Sequence, residues 1–173
     1  MGKTTQALNI AYRLRVRGAC VEYIDEYVKS WAYEKRTPSP IDQIYIAGHQ
    51  FHREARLLSR DLSHLVTDSP LLLAAIYATY YGGDDDVTRV IEGMVDFLDS
   101  RYPYYNVVLK RDDSIFDTET RLQTLEEAKN IDAQVVRALE NRYSKKVFIL
   151  DPNDEDQKRC LISKISQEID PTG

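Results

Sequence analysis

Cysteine is almost absent from this chain: Cys20 and Cys160 are too few and too far apart for a disulfide framework or a zinc site. They suit two reduced thiols in a cytosolic protein. Long apolar runs are absent too. The longest, 71–78 behind Pro70, falls well short of the ~18 residues of a membrane span and suits a buried helix. The opening Met-Gly-Lys-Thr-Thr has no apolar signal region, so the expected location is the cytoplasm. Only 7 Gly and 6 Pro occur in 173 residues, which excludes collagen-like and low-complexity chains. With 43% hydrophobic and 29% charged residues, the composition is that of one ordinary globular domain. No segment repeats, and no linker divides the chain. Positive charge is not in excess either. The balance of 28 acidic against 23 basic residues gives -5, which argues against attraction of the whole protein to a polyanion but leaves a local basic groove open.

Tyrosine is plentiful, with 12 residues. Tyr80-Tyr81 and Tyr102-Pro103-Tyr104-Tyr105 have rings able to stack on bases, although half-buried packing with a wet hydroxyl is the commoner use. Hydrophobic periodicity predicts helices over 5–17, 41–60, 71–81, 87–100, 122–143 and 157–169, with another beginning within 27–33. Strands are predicted at 19–24, 64–67, 105–110 and 146–150. Gly18 stops the first helix. Strands alternating with helices imply a parallel sheet with helices on both faces, a three-layer α/β/α fold. The triplet Asp84-Asp85-Asp86 resembles a metal cluster, but beside a helix start it reads as cap and dipole chemistry.

The strongest chemical signal is Gly2-Lys3-Thr4-Thr5 running directly into an amphipathic helix. It matches the last half of the phosphate-binding loop G-x-x-x-x-G-K-[ST], the Walker A motif. Gly2 lets backbone N–H groups approach phosphates, Lys3 places a point charge on the β- and γ-phosphates, Thr4 offers a hydroxyl to Mg²⁺, and the helix dipole favours the anion. The front half of that loop and the apolar strand before it are missing. The expectation is therefore a single domain over 1–173, N-terminally incomplete, with Met1 an internal residue of a longer loop or a misplaced start; the rival reading is a true start whose degenerate loop holds phosphate poorly.

Further along, Asp25-Glu26 ends the strand 19–24, where carboxyl ends of strands face the ligand crevice. A carboxylate there can take a proton from a substrate hydroxyl or fix a sugar hydroxyl; a helix cap is the plainer use. Asp68 ends the strand 64–67 in a Walker-B-like position suited to Mg²⁺ or its water, with Ser69 free to cap the next helix. Arg111 and Arg121 bracket a polar loop, 111–121, with the character of a lid that brings arginines to a transferring phosphoryl group. Gln50, Arg53 and Arg56 lie on the long helix. There Gln50 is a candidate to read a base edge and Arg53 to meet a substrate phosphate, with surface salt bridging the alternative for both arginines. Arg53, Arg56 and Arg60 share one helical face, with Lys35 and Arg36 before it; Asp42, Glu54 and Asp61 are placed to neutralise that stripe.

These residues give the chain a resemblance to the P-loop nucleoside and nucleotide kinases, which include thymidylate kinase, deoxynucleoside kinases and nicotinamide riboside kinase-like domains. It is most similar to small AAA-like ATPase/kinase domains common in phage genomes. The resemblance rests on Gly2-Lys3-Thr4-Thr5, on Val21 to Tyr27, on Val66-Thr67-Asp68-Ser69-Pro70-Leu71, and on Arg121-Leu122-Gln123-Thr124 with the helix after it. It implies strand order 2-3-1-4-5 with strand 1 absent here. It implies ATP held by Gly2, Lys3, Thr4 and Thr5, Mg²⁺ by Thr4 and Asp68, an acceptor-side carboxylate at Asp25 or Glu26, and lid residues at Arg111 and Arg121. Two departures stand out. Thymidylate kinases carry Asp-Arg where this chain has Asp68-Ser69, and deoxynucleoside kinases carry Glu-Arg-Ser there. The expected activity is ATP-dependent phosphoryl transfer to a nucleoside, nucleotide or similar small acceptor. The alternatives are a P-loop ATPase or nucleotide-binding switch, and a DNA kinase acting on hydroxymethylated pyrimidines. No membrane partner is expected, and a homodimer is admissible.

Overall fold

The computed structural model describes residues 2–28, 31, 34, 36, 38–81, 85–110, 124–143 and 147–167. These form α1 (Lys3–Val16), β1 (Val21–Ile24), α2 (Asp42–Leu58), β2 (His64–Thr67), α3 (Leu72–Tyr80), α4 (Asp85–Asp99), β3 (Asn106–Leu109), α5 (Leu125–Tyr143), β4 (Val147–Leu150) and α6 (Glu155–Gln167). The alternation read from the sequence is therefore present. The helix expected to begin within 27–33 and the lid loop at 111–121 lie largely or wholly outside the described residues.

Local chemistry explains where the elements start and stop. Gly2 is extended, with ψ 173°, and its carbonyl accepts from the Gln6 amide at 3.2 Å, so α1 begins at Lys3, earlier than the apolar periodicity implies. Gly18 ends it at φ 87°, a left-handed conformation that glycine adopts without Cβ strain, while its amide returns to the Arg15 carbonyl at 2.9 Å. Asp85 and Asp86 stand inside the first turn of α4, where negative charge complements the helix dipole, and Asp86 pairs with Arg89 at 2.5 Å. Thr124 and Glu127 form a reciprocal capping box: the Thr124 amide donates to Glu127 Oε2 at 2.7 Å and the Glu127 amide to Thr124 Oγ1 at 3.3 Å. That box starts α5 at Leu125, three residues later than the expected 122. Asp154 caps α6 by accepting from the amides of Asp156 and Gln157 at 3.0 and 2.9 Å.

The strands pair as two parallel ribbons. β1 lies beside β2, with Val21 opposite His64 and Ile24 opposite Thr67; β3 lies beside β4, with Asn106 opposite Val147 and Leu109 opposite Leu150. Two clusters of buried side chains flank them. Leu71, Ala75, Ile91 and Leu98 of the α3–α4 region anchor one, with Ala47 of α2 and Leu139 of α5. Leu14 of α1, Leu161 and Ile162 of α6, Val21 and Leu150 build the other. An ion-pair cluster supports the second: Glu155 accepts from Arg13 of α1 at 2.5 Å and from the buried Lys158 at 2.7 Å.

Between the ribbons runs a cavity of about 850 Å³. It touches successive residues of β2 and of β3, including Leu65, Val66, Val107 and Val108. Successive strand residues point to opposite faces, so a cavity meeting all of them follows the strand edges. It also reaches Leu14 in one side-chain cluster and Ile76 in the other. Its shape is that of a slot between two unpaired sheet edges. In place of the expected single sheet, the described strands form two separate two-stranded sheets, and the backbone groups on the facing edges of β2 and β3 have no ladder partner among the described residues.

Candidate functional site

The carboxyl ends of β1 and β2 and the start of α1 meet at one place. The Thr4 hydroxyl donates to Asp68 Oδ2, joining the Gly-Lys-Thr-Thr segment to the end of β2 across 64 positions of sequence. Asp68 is only 7% exposed. Its second oxygen, Oδ1, is buried with no hydrogen-bond partner. A buried carboxylate oxygen left unmatched next to a threonine hydroxyl is costly unless something meets it. A hard cation coordinated by oxygen fits that pair of ligands. Gly2 and Lys3 are exposed at the same helix start, and Gly2 makes no side-chain cap, so the first amide groups of α1 stay available to an anion. Thr5, on the next turn position, is exposed.

Tyr23, on β1, also belongs here and was not singled out from the sequence. Its hydroxyl is buried without a hydrogen-bond partner. Burial first, and then the neighbouring Asp68 carboxylate, push its pKa up to about 12. The signal was present as alternation: Val21, Tyr23 and Asp25 share one strand face, and the parallel register carries that face to Val66 and Asp68.

On the outer side of Asp68, Asp25 is engaged by Arg53 of α2. The Arg53 guanidinium pairs with Asp25 Oδ1 and donates from Nη1 to the Asp25 carbonyl at 3.0 Å. The structure therefore brings together two residues that the sequence assigned separately to the acceptor side. Glu26 follows on the same strand end and is half-buried. Gln50 is placed differently. It is 4% exposed, and its amide nitrogen donates to Glu54 Oε1 at 2.7 Å and Thr67 Oγ1 at 3.3 Å. Glu54 is 1% exposed and accepts from the Tyr104 hydroxyl at 2.9 Å through its other oxygen. Burial pushes the Glu54 carboxyl up, against the lowering effects of Gln50, Tyr104 and Arg53. The expectation that Glu54 neutralises the arginine stripe is corrected: its carboxylate is turned into the protein and held by Gln50 and Tyr104. Arg111 and Arg121 lie outside the described residues.

Next to the Asp25–Arg53 pair, aromatic rings pack on one another. Tyr27 stacks on His49 with centroids 4.3 Å apart, Trp31 stacks on Tyr45 at 6.2 Å, and the Arg36 guanidinium covers Trp31 at 3.5 Å. Of the tyrosines noted in the sequence, Tyr105 lies against Phe148 and Tyr80 against Tyr81, while Tyr104 donates its hydroxyl to Glu54. Among the described residues no group of three or more His, Cys, Asp or Glu side chains is arranged to hold a metal; of the acidic triplet, Asp85 and Asp86 stand in the first turn of α4 and Asp84 lies outside the described residues. No helix among them is long and apolar enough to cross a membrane.

A Walker-type glycine, lysine and threonine at a helix start, touching an aspartate at the end of a parallel strand, defines a nucleotide-binding domain of the P-loop NTPase type. The chain matches a family described as an AAA domain over residues 1–158, and it belongs to that family. No curated protein matches it.

Proposed function

We propose that this chain is an ATP- and Mg²⁺-dependent phosphotransferase acting on a nucleoside, a nucleotide or a similar small acceptor. The observation that carries the reading is the contact of Thr4 with Asp68 beside the Asp25–Arg53 pair, at neighbouring ends of two parallel strands. In this reading Gly2, Lys3 and Thr5 bind the phosphates, and Thr4 and Asp68 hold the metal ion. When bound, the metal ion and nucleotide supply charge neutralisation and the phosphoryl group. Asp25 or Glu26 receives the proton of the acceptor hydroxyl. Arg53 orients Asp25 and offers its free donors to an acceptor phosphate. Arg111 and Arg121 act from the lid, excluding water and adding positive charge.

The fold reading goes with it. The slot between β2 and β3 is where the order 2-3-1-4-5 places strand 1, with β1, β2, β3 and β4 as strands 2, 3, 4 and 5 of a three-layer α/β/α domain. Unpaired edges on both sides of the slot and apolar walls support a further parallel strand there. In that arrangement the domain acts in the cytoplasm.

The second reading is a nucleotide-hydrolysing switch. It is favoured by Gln50, whose amide nitrogen is already spent on Glu54 and Thr67 rather than offered to an acceptor. The two are separated by following labelled γ-phosphate from ATP into nucleosides, nucleoside monophosphates and DNA containing hydroxymethylated pyrimidines, with acceptor-free hydrolysis measured alongside. Label in a small acceptor is the expected result. Release of phosphate alone, unaffected by every acceptor, refutes the kinase reading in favour of the switch. Label in DNA alone, inhibited steeply by salt, identifies a polymer substrate. Arg53 and Arg36 already pair with Asp25 and Asp42, which weighs against a free basic groove.

A further inference from the structure

We propose that Tyr23 is a positioning residue of the metal–nucleotide site, its hydroxyl and Asp68 Oδ1 forming the two ends of one hydrogen-bond bridge that closes when the hydrated cation is held by Thr4 and Asp68. The proposal rests on the nucleotide-site reading above and adds to it a residue outside the Walker-type segments.

Three observations lead to it. Tyr23 stands at the middle of β1, directly opposite Val66 of β2, two residues before Asp25 and on the face that leads to Asp68. Its hydroxyl lies within hydrogen-bonding reach of the Asp68 carboxylate, which raises its pKa, and of the Thr4 side chain, which lowers it. Yet the hydroxyl and Asp68 Oδ1 are each buried, and neither completes a hydrogen bond of good distance and angle. One is a donor and the other an acceptor, so their chemistry is complementary. Asp68 Oδ2 is already taken by Thr4. Oδ1 is therefore the oxygen left for a new interaction, and the Tyr23 hydroxyl is a donor beside the same carboxylate. A water of the cation's shell, or a small turn of the carboxylate as it takes up the metal, completes the bridge. Outer-shell partners of this kind fix the orientation of a ligating carboxylate.

A tyrosine serving only to fill space makes a different demand. Its ring would suffice, and an unmatched buried hydroxyl would be a liability. Tyr23→Phe removes that one atom. The proposal expects two effects of opposite sign in the full chain. Without metal or nucleotide, Tyr23→Phe melts at the same temperature as the parent or higher, because an unmatched polar atom is gone. With a non-hydrolysable ATP analogue, calorimetry shows unchanged affinity in the presence of a chelator. The Mg²⁺ concentration that half-maximally enhances analogue binding rises about tenfold, at the lower end of the effect typical of outer-shell partners. Asp68→Asn and Lys3→Ala are measured beside it. If Asp68→Asn abolishes the Mg²⁺ enhancement and Tyr23→Phe leaves it at the parent value, Tyr23 is a packing residue and the proposal is overturned. If the parent itself shows no Mg²⁺ enhancement, or Lys3→Ala binds the analogue as well as the parent, the nucleotide-site reading fails and the proposal with it. A Tyr23→Phe variant that weakens binding equally with and without Mg²⁺ also refutes the bridge.

Discussion

The buried triad of Gln50, Glu54 and Tyr104 allows a sharp test of how this fold handles a carboxyl group inside its core. Glu54 accepts one hydrogen bond on each oxygen, from Gln50 at 2.7 Å and from Tyr104 at 2.9 Å, and is 1% exposed. Glu54→Ala removes both acceptors. Tyr104 loses its hydrogen bond to Glu54, and Gln50 keeps the longer contact to Thr67 at 3.3 Å. Losing a hydrogen bond to a buried polar group costs about 1–3 kcal/mol, and with Gln50 still held by Thr67 the expected loss is of that order. That is a large part of a typical domain stability of about 5–15 kcal/mol. Glu54→Gln is the informative control. Its amide oxygen accepts from Gln50, and its NH₂ donates to the Tyr104 oxygen once that hydroxyl turns from donor to acceptor. Both hydrogen bonds survive, and only the ionisable group is lost.

The pH dependence follows from the direction of the shift. Burial raises the Glu54 carboxyl above its ordinary 4.5, so the native state keeps the proton to higher pH than the unfolded chain does. The stability this contributes is complete below the ordinary value and is lost as pH rises through the native one. The advantage of Glu54→Gln over the parent must therefore widen as pH increases from about 4.5 and then level off. Trp31, the only tryptophan and 7% exposed, reports unfolding by fluorescence in urea. Titrations at pH 5 and pH 8 on the parent and both variants supply the comparison. An equal loss of stability in Glu54→Gln and Glu54→Ala at pH 8, or a Glu54→Gln advantage that does not change with pH, would refute the account of the triad.

Two further substitutions test the site itself. Lys3→Ala is expected to leave the melting temperature within a few degrees of the parent, because Lys3 is exposed, while nucleotide turnover falls by at least a hundredfold, the order lost with one preorganised charge; unchanged turnover removes the phosphate-binding assignment. Asp25→Asn is expected to cost at most about 1 kcal/mol of stability, since the pair with Arg53 is largely exposed on the carboxylate side, yet to lower phosphoryl transfer about 10²–10⁴-fold if Asp25 takes the acceptor proton. Transfer at the parent rate in both Asp25→Asn and Glu26→Gln would reduce these carboxylates to local packing and capping.

The sequence made the element order and the contact at the centre of the site legible, because both depend on local chemistry. Gly18 can end a helix by itself, Thr124 and Glu127 cap one another three residues apart, and the strand 64–67 falls where it was expected. Thr4 and Asp68 were assigned to one metal ion from motif chemistry alone, and in the folded chain they touch. What escaped depends on which way a polar side chain turns. Glu54 is four residues after Gln50 and one after Arg53, so it was grouped with a charged stripe; the same spacing places it one turn below Gln50 on the inward face of α2, where Tyr104 closes over it from 50 positions away. Tyr23 was hidden for the complementary reason. In a four-residue strand its ring counts as one more apolar position, and its hydroxyl acquires meaning only when the register with β2 brings Asp68 beside it. Both omissions lie in polar atoms buried within a short reach of the site. A periodicity treats such atoms as core or as surface, whereas their partners are set by strand register and helix packing.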